Sequence, residues 1–110
     1  MDEDPQATDE YTQLVDQNGL VKLFANRARA RILASLLYAD EPLSVKQIAA
    51  GAGITQSTVH QAIDALEPFD VLDETTGEDG QSHYELAEDD PLVTATRSLA
   101  EAATNAFYDE

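Results

Sequence analysis

The stretch from Ser44 to Leu66 restricts the fold of this chain more than any other part of it. Residues 48–63 read IAAGAGITQSTVHQAI, with small residues and glycines where two short helices have to meet. Ser44 followed three residues later by Gln47 is a capping-box pattern, and it opens a helix through Val45, Ile48, Ala49 and Ala52. Gly51 and Gly53 supply a tight turn where a side chain would clash or need positive φ. Thr55 can cap the next helix, whose apolar face is Val59, Ala62, Ile63 and Leu66, and Pro68 ends it. Two helices crossing steeply need a small residue in the first, a glycine in the turn and a β-branched residue in the second. Ala49, Gly53 and Val59 meet those needs, so the segment is read as a helix-turn-helix.

The flanking sequence supports that reading. The first ten residues are polar, acidic and interrupted by Pro5, so residues 1–10 are expected to form a flexible acidic tail ahead of one domain over 11–110. Tyr11, Leu14 and Val15 can begin a helix that Gly19 limits. After Leu20, Val21, Leu23 and Phe24, Asn26 caps a helix to Tyr38, with Ala28, Ile32 and Leu36 four apart and Leu33 and Leu37 beside them. Arg27 and Arg31 fall away from that stripe. Asp40, Glu41 and Pro42 break the helix. Beyond Pro68, Val71 and Leu72 start a strand, TGEDG over 76–80 has turn chemistry, and Tyr84 and Leu86 alternate inward on a returning strand, leaving His83 outward. Asp90 and Pro91 start a last helix over 91–108, carrying Leu92, Ala95, Leu99, Ala103 and Phe107 at spacings of three and four. The expected fold is mainly α with a small β-hairpin.

Charge narrows the function. The 110 residues carry 22 acids against 6 bases, a formal net charge of −16, which taken whole argues against nucleic acid. It is unevenly placed: residues 1–17 hold −6, residues 18–63 hold +3 and residues 64–110 hold −13. The helix-turn-helix therefore lies in the one positive block. Cysteine is absent, which excludes disulfides, thiolate metal sites and thiol nucleophiles. No apolar run approaches the roughly 20 residues of a membrane span, and no secretory leader is evident, so a cytoplasmic location is expected. The carboxylates lie in tails, turns and helix ends, where solvated surface outweighs paired-acid catalysis. No phosphate loop, metal-binding helix motif or nucleophile elbow occurs, so the chain is not expected to be an enzyme or to need a cofactor.

LFANRARARIL, followed by LSVKQIAAGAGITQSTVHQAIDALEPFDVL, resembles the winged helix-turn-helix core of ArsR-type and MarR-type regulators over about residues 20–100. The acidic, lysine-poor style is similar to haloarchaeal members. The resemblance implies a homodimeric DNA-binding transcription regulator, usually a repressor, with its second motif helix in the major groove and its terminal helices forming the dimer interface. On that basis Thr55, Gln56, Ser57, Thr58, His60 and Gln61 form the reading face, since Gln pairs bidentately with adenine and Ser or Thr meets base edges or phosphate. Ser44 and Lys46 are candidates for a backbone phosphate, and Arg27 and Arg31 for others, with one of Arg27, Arg29 and Arg31 expected to pair with a carboxylate near the motif. Leu92, Ala95, Leu99, Ala103 and Phe107 are the expected dimer contacts.

Two departures qualify the resemblance. Arsenic and zinc sensors of the family use cysteines or ligands at the dimer helix, and the missing cysteines argue against metal sensing. The wing, which in many relatives carries Arg or Lys, here carries Asp73, Glu74, Glu78 and Asp79. At molar salt the Debye length is about 3 Å, so such acids repel phosphates weakly, and cations held at the acidic surface can bridge wing and DNA. The competing reading keeps the fold but makes it an acidic protein-interaction module or DNA mimic. An acid-free motif helix in the positive block favours DNA binding over mimicry.

Overall fold

A computed structural model describes residues 5–109. Six α-helices and a small sheet follow one another as α1 (Pro5–Gln17), α2 (Gly19–Phe24), α3 (Arg27–Tyr38), β1 (Leu43–Ser44), α4 (Val45–Ala52), α5 (Gln56–Leu66), β2 (Leu72–Thr76), β3 (Ser82–Leu86) and α6 (Pro91–Tyr108), with a 3-10 turn over Glu67–Phe69 after α5. This is the mainly helical winged helix-turn-helix architecture. Of the tail expected over residues 1–10, residues 1–4 lie outside the described residues, and 5–10 are instead the first turns of α1. Pro5 opens that helix rather than breaking it, because a proline at the first helical position lacks only an N–H that would be unbonded anyway.

Side chains set most of the boundaries. Asn18 Oδ1 accepts from the Leu20 amide at 2.9 Å and starts α2, so α1 stops just ahead of Gly19. Asn26 Oδ1 accepts from the Arg29 amide at 2.9 Å and starts α3. Between them Ala25 sits at φ +49°, a strained conformation for a residue with a Cβ. The Ser44 and Gln47 capping box is formed at both of its bonds. Asp90 Oδ1 accepts from Leu92 and Val93, with Pro91 in the first turn of α6.

Ile32 of α3, Ile48 of α4, and Val59 and Leu66 of α5 have no exposed surface and form the centre of the core. Leu23, Leu33, Leu36, Val71, Leu86 and Val93 surround them. Helices α3 and α4 approach closely where Gly51 faces Ser35: a Cβ on Gly51 would lie 2.8 Å from Ser35 Oγ. The anticipated hairpin is part of a three-stranded antiparallel sheet in the order β1-β3-β2. The pairs run from Leu72 with Leu86 to Thr76 with Ser82, and on the other side Leu43 with Tyr84 and Ser44 with His83.

The ends of the chain are poorly covered. In α6 the buried residues are Val93 and Thr96, and Leu92 packs partly against the core. Ala95 and Ala103 are exposed, and Leu99 and Phe107 are 48% and 79% exposed. Every described side chain of α1 is exposed as well. The radius of gyration is 16.7 Å with extents of 63 × 37 × 27 Å, against roughly 13 Å for a compact chain of this length. Among the described residues no helix is long and apolar enough to cross a membrane.

Candidate nucleic-acid interface

Helices α4 and α5 meet across Gly53, Ile54 and Thr55. Gly53 ends α4 at φ +71°, ψ +39°, a left-handed conformation that a Cβ would strain. The amides of Gly53 and Ile54 both donate to the Ala49 carbonyl, at 2.9 and 3.0 Å, which closes the turn. Thr55 Oγ1 then accepts from the Thr58 amide at 3.2 Å and starts α5. Val59, Ala62 and Leu66 fasten the inner face of α5 to the core. The outer face is thereby fixed.

That outer face carries Gln56, Ser57, His60 and Gln61, all exposed. At spacings of three to five they share one side of the helix with Asp64, the first charge along it. Gln56, His60 and Gln61 make no side-chain hydrogen bond among the described residues, so their donors and acceptors face outward unspent. At the N-terminal end the hydroxyls of Thr55 and Thr58 are 2.8 Å apart, and those of Thr55 and Ser57 3.4 Å apart. The free amides of a first helical turn and three hydroxyls make an end suited to a phosphate oxygen. Thr55 is exposed and Thr58 half-buried.

The structure sorts the flanking candidates. Lys46, in the first turn of α4, and Arg27, at the start of α3, are exposed and have no ion pair among the described residues. Arg31 is exposed too, but its Nε donates to the Ala52 carbonyl at 2.6 Å. Ser44 is only 6% exposed, and its hydroxyl oxygen accepts from the Gln47 amide at 3.2 Å in the capping box. The expected arginine–carboxylate pair is also absent among the described residues. Arg29 is 9% exposed and donates through Nη1 to the carbonyls of Lys22 and Leu23, at 3.3 Å each, ending α2. Carbonyls at helix C-termini carry partial negative charge and take the place of carboxylates for both Arg29 and Arg31.

Beside α5 the strands β2 and β3 project as a wing. Asp73, Glu74, Glu78 and Asp79 are all exposed on it, and Ser82 Oγ donates to Glu74 Oε2 at 2.5 Å. His83, expected to face outward, instead has a side chain only 19% exposed, against Asp79. Sequence reasoning missed it because alternation about Tyr84 and Leu86 assumes one open face, whereas the Pro42 segment and the wing turn cover both sides of the ring.

Helices α4 and α5 joined through a tight turn, an outward polar face on α5 and the β2–β3 wing that follows it define a winged helix-turn-helix fold. Residues 24–68 match the family described as Helix-turn-helix domain. Among solved structures, the cadmium metal-sensor CMTR from Mycobacterium tuberculosis is 32% identical over 73% of this chain and 79% of its own, at a TM-score of 0.55. HlyU from Vibrio cholerae is 26% identical over 83% and 89%, at a TM-score of 0.60. The antimony-specific transcriptional repressor AntR is 24% identical over 100% and 93%, at a TM-score of 0.65. No curated protein matches the chain significantly. The chain belongs to the winged helix-turn-helix transcription regulators, and it shares its fold with a MarR-family regulator from Silicibacter pomeroyi.

Proposed function

We propose that this protein is a sequence-specific repressor that binds double-stranded DNA as a homodimer, with α5 in the major groove. One observation carries the reading: the exposed face of α5 is uncharged from Gln56 to Gln61, in a chain of net charge −16. A DNA mimic would place acid there. Gln56 and Gln61 offer bidentate pairing to adenine, and His60 offers a ring nitrogen to a base edge. Thr55, Ser57 and Thr58 at the helix end, with Lys46, Arg27 and the outer nitrogens of Arg31, meet phosphates and fix the register.

Uncovered apolar surface supports the dimer. Tyr11, Leu14, Leu99 and Phe107 are 73%, 68%, 48% and 79% exposed on the terminal helices. An apolar groove of about 390 Å³ between α2, α3 and α6 is lined by Leu20, Phe24, Leu33, Leu37, Leu99 and Ala103. A second copy covers these surfaces, through Leu99, Ala103 and Phe107 with Ala95 and the edge of Leu92, and α1 joins them. Two-fold symmetry then requires a pseudo-palindromic site with half-sites about one helical turn apart. The acidic wing suits a cell of high internal salt, such as a halophilic archaeon, with cations held between wing and phosphates.

Selection of genomic DNA fragments on the purified full-length protein, followed by sequencing, tests this. One shared pseudo-palindrome is expected. Retention of fragments with no common sequence would remove the regulator reading.

A further inference from the structure

The wing holds a histidine–carboxylate contact, His83 with Asp79, and the DNA-reading face does not use it. His83 lies mid-sheet, opposite Ser44 on β1 and Thr75 on β2. Its ring folds over the turn that joins β2 to β3. Nε2 is 3.2 and 3.3 Å from the two Asp79 carboxylate oxygens, and Nδ1 is 3.5 Å from the Pro42 carbonyl. A carboxylate and a carbonyl both accept, so whichever ring nitrogen carries hydrogen has an acceptor beside it.

The turn is shaped to receive the ring. A Cβ on Gly77 would lie 2.6 Å from Cδ2 of His83 and closer still to Nε2, so only glycine lets the imidazole close down. Asp79 Oδ1 also accepts from the Gln81 amide at 2.9 Å. The Gln81 N–H first, and then His83, hold the Asp79 carboxyl below its ordinary range. Backbone bonds from Gly77 to the Gln81 carbonyl, 2.8 Å, and from Gly80 to the Gly77 carbonyl, 3.0 Å, close the loop. Asp79 is thus turned onto the ring, while Asp73, Glu74 and Glu78 have no cationic partner among the described residues.

We propose that His83 is the positioning residue of the wing: by gripping Asp79 at the turn and facing Pro42 beside β1, it presents the wing to DNA as a preset arm with one of its acids held against the ring. This extends the DNA-binding reading and rests on it. Without the grip, the 77–81 turn would sample several orientations, and ordering it would cost binding free energy.

The test uses amide hydrogen exchange at Gly77 and Gly80 in the full-length protein, together with affinity for the selected DNA site. His83→Gln places an amide where Nε2 was, His83→Asn places one where Nδ1 was, and His83→Phe keeps ring volume without either. His83→Phe and His83→Asn should speed exchange at both glycines by roughly fivefold to tenfold, the value of one net hydrogen bond, and weaken DNA binding by a similar factor. His83→Gln should recover most of both. Unchanged exchange in His83→Phe, a His83→Gln no better than His83→Asn, or faster exchange with unchanged affinity would each overturn the proposal. A wild-type protein that binds no DNA sequence would refute the regulator reading, and with it the wing's role on DNA, while the exchange data would still decide whether His83 holds the turn.

Discussion

Arg31 on α3 donates its Nε–H to the carbonyl of Ala52, the last residue of α4, across 2.6 Å, and its Nη2 lies 3.3 Å from where a Cβ on Gly53 would stand. The side chain therefore lies over the turn that sets the angle between α4 and α5. It ties the scaffold helix to the helix-turn-helix, while the residue as a whole stays exposed.

Replacing Arg31 by Ala removes that tie. A charge-assisted bond to a backbone carbonyl is worth about 1.5–3 kcal/mol when intact, and exposure places Arg31 at the lower end of the range. Urea denaturation of Arg31→Ala should show a loss of about 1.5 kcal/mol, and Arg31→Lys a smaller one. DNA affinity should fall further than stability does, because α5 is displaced and a phosphate contact is lost.

The contact between Gly51 and Ser35 yields a prediction whose sign depends on background. Alanine is favoured over glycine in a helix interior by about 1 kcal/mol, but a Cβ at position 51 meets Ser35 Oγ at 2.8 Å. Gly51→Ala should be near neutral alone, since Ser35 must rotate away. In a Ser35→Ala background the same change should stabilise by about 0.5–1 kcal/mol. Equal effects in the two backgrounds, measured by thermal denaturation, would show that the helices are not in contact at this point.

How far these features could be read in advance depended on their range in sequence. The caps at Asn26, Ser44, Thr55 and Asp90, the glycine at 53 and the bounds of α6 are local, and each was legible because one residue type satisfies one backbone need. Strand β1 was not, because a two-residue strand has no period and exists only through pairing with β3. The backbone-tying roles of Arg29 and Arg31 were hidden for the same reason. Their partners are carbonyls at helix ends, and those ends come within reach only after folding. In α1 the helix read from Tyr11, Leu14 and Val15 is present, and only its first turns, Pro5 to Glu10, were read as tail because that stretch is polar and acidic.

The dimer proposed through α6 is sensitive to a charge at its centre. Leu99 is 48% exposed in a single chain and lines the groove beside α3. Leu99→Asp should convert the dimer to a monomer in sedimentation velocity while the helical circular dichroism is kept. Affinity for a two-half-site DNA should then fall by roughly 100-fold, as the second half-site ceases to be tethered. A wild-type monomer at micromolar concentration would contradict the interface.

Salt should act in an unusual direction. A protein that displaces cations from many phosphates loses affinity steeply as salt rises. Here the wing carries four exposed acids and the reading face is uncharged, so cations are taken up as well as released. Affinity measured from about 0.2 M to about 3 M KCl should stay flat or increase. A steep monotonic fall would show that ordinary basic contacts dominate.

Reading by the outer face of α5 is tested most directly by the discrimination of Gln56→Ala and Gln61→Ala between the selected DNA site and an unrelated duplex, measured by fluorescence anisotropy at fixed KCl. Both side chains are exposed, so the variants should fold as the wild type does. Each should lose about 1–3 kcal/mol of discrimination for the selected site, with unrelated DNA bound almost as before. Wild-type discrimination in both variants would show that α5 does not read DNA through this face.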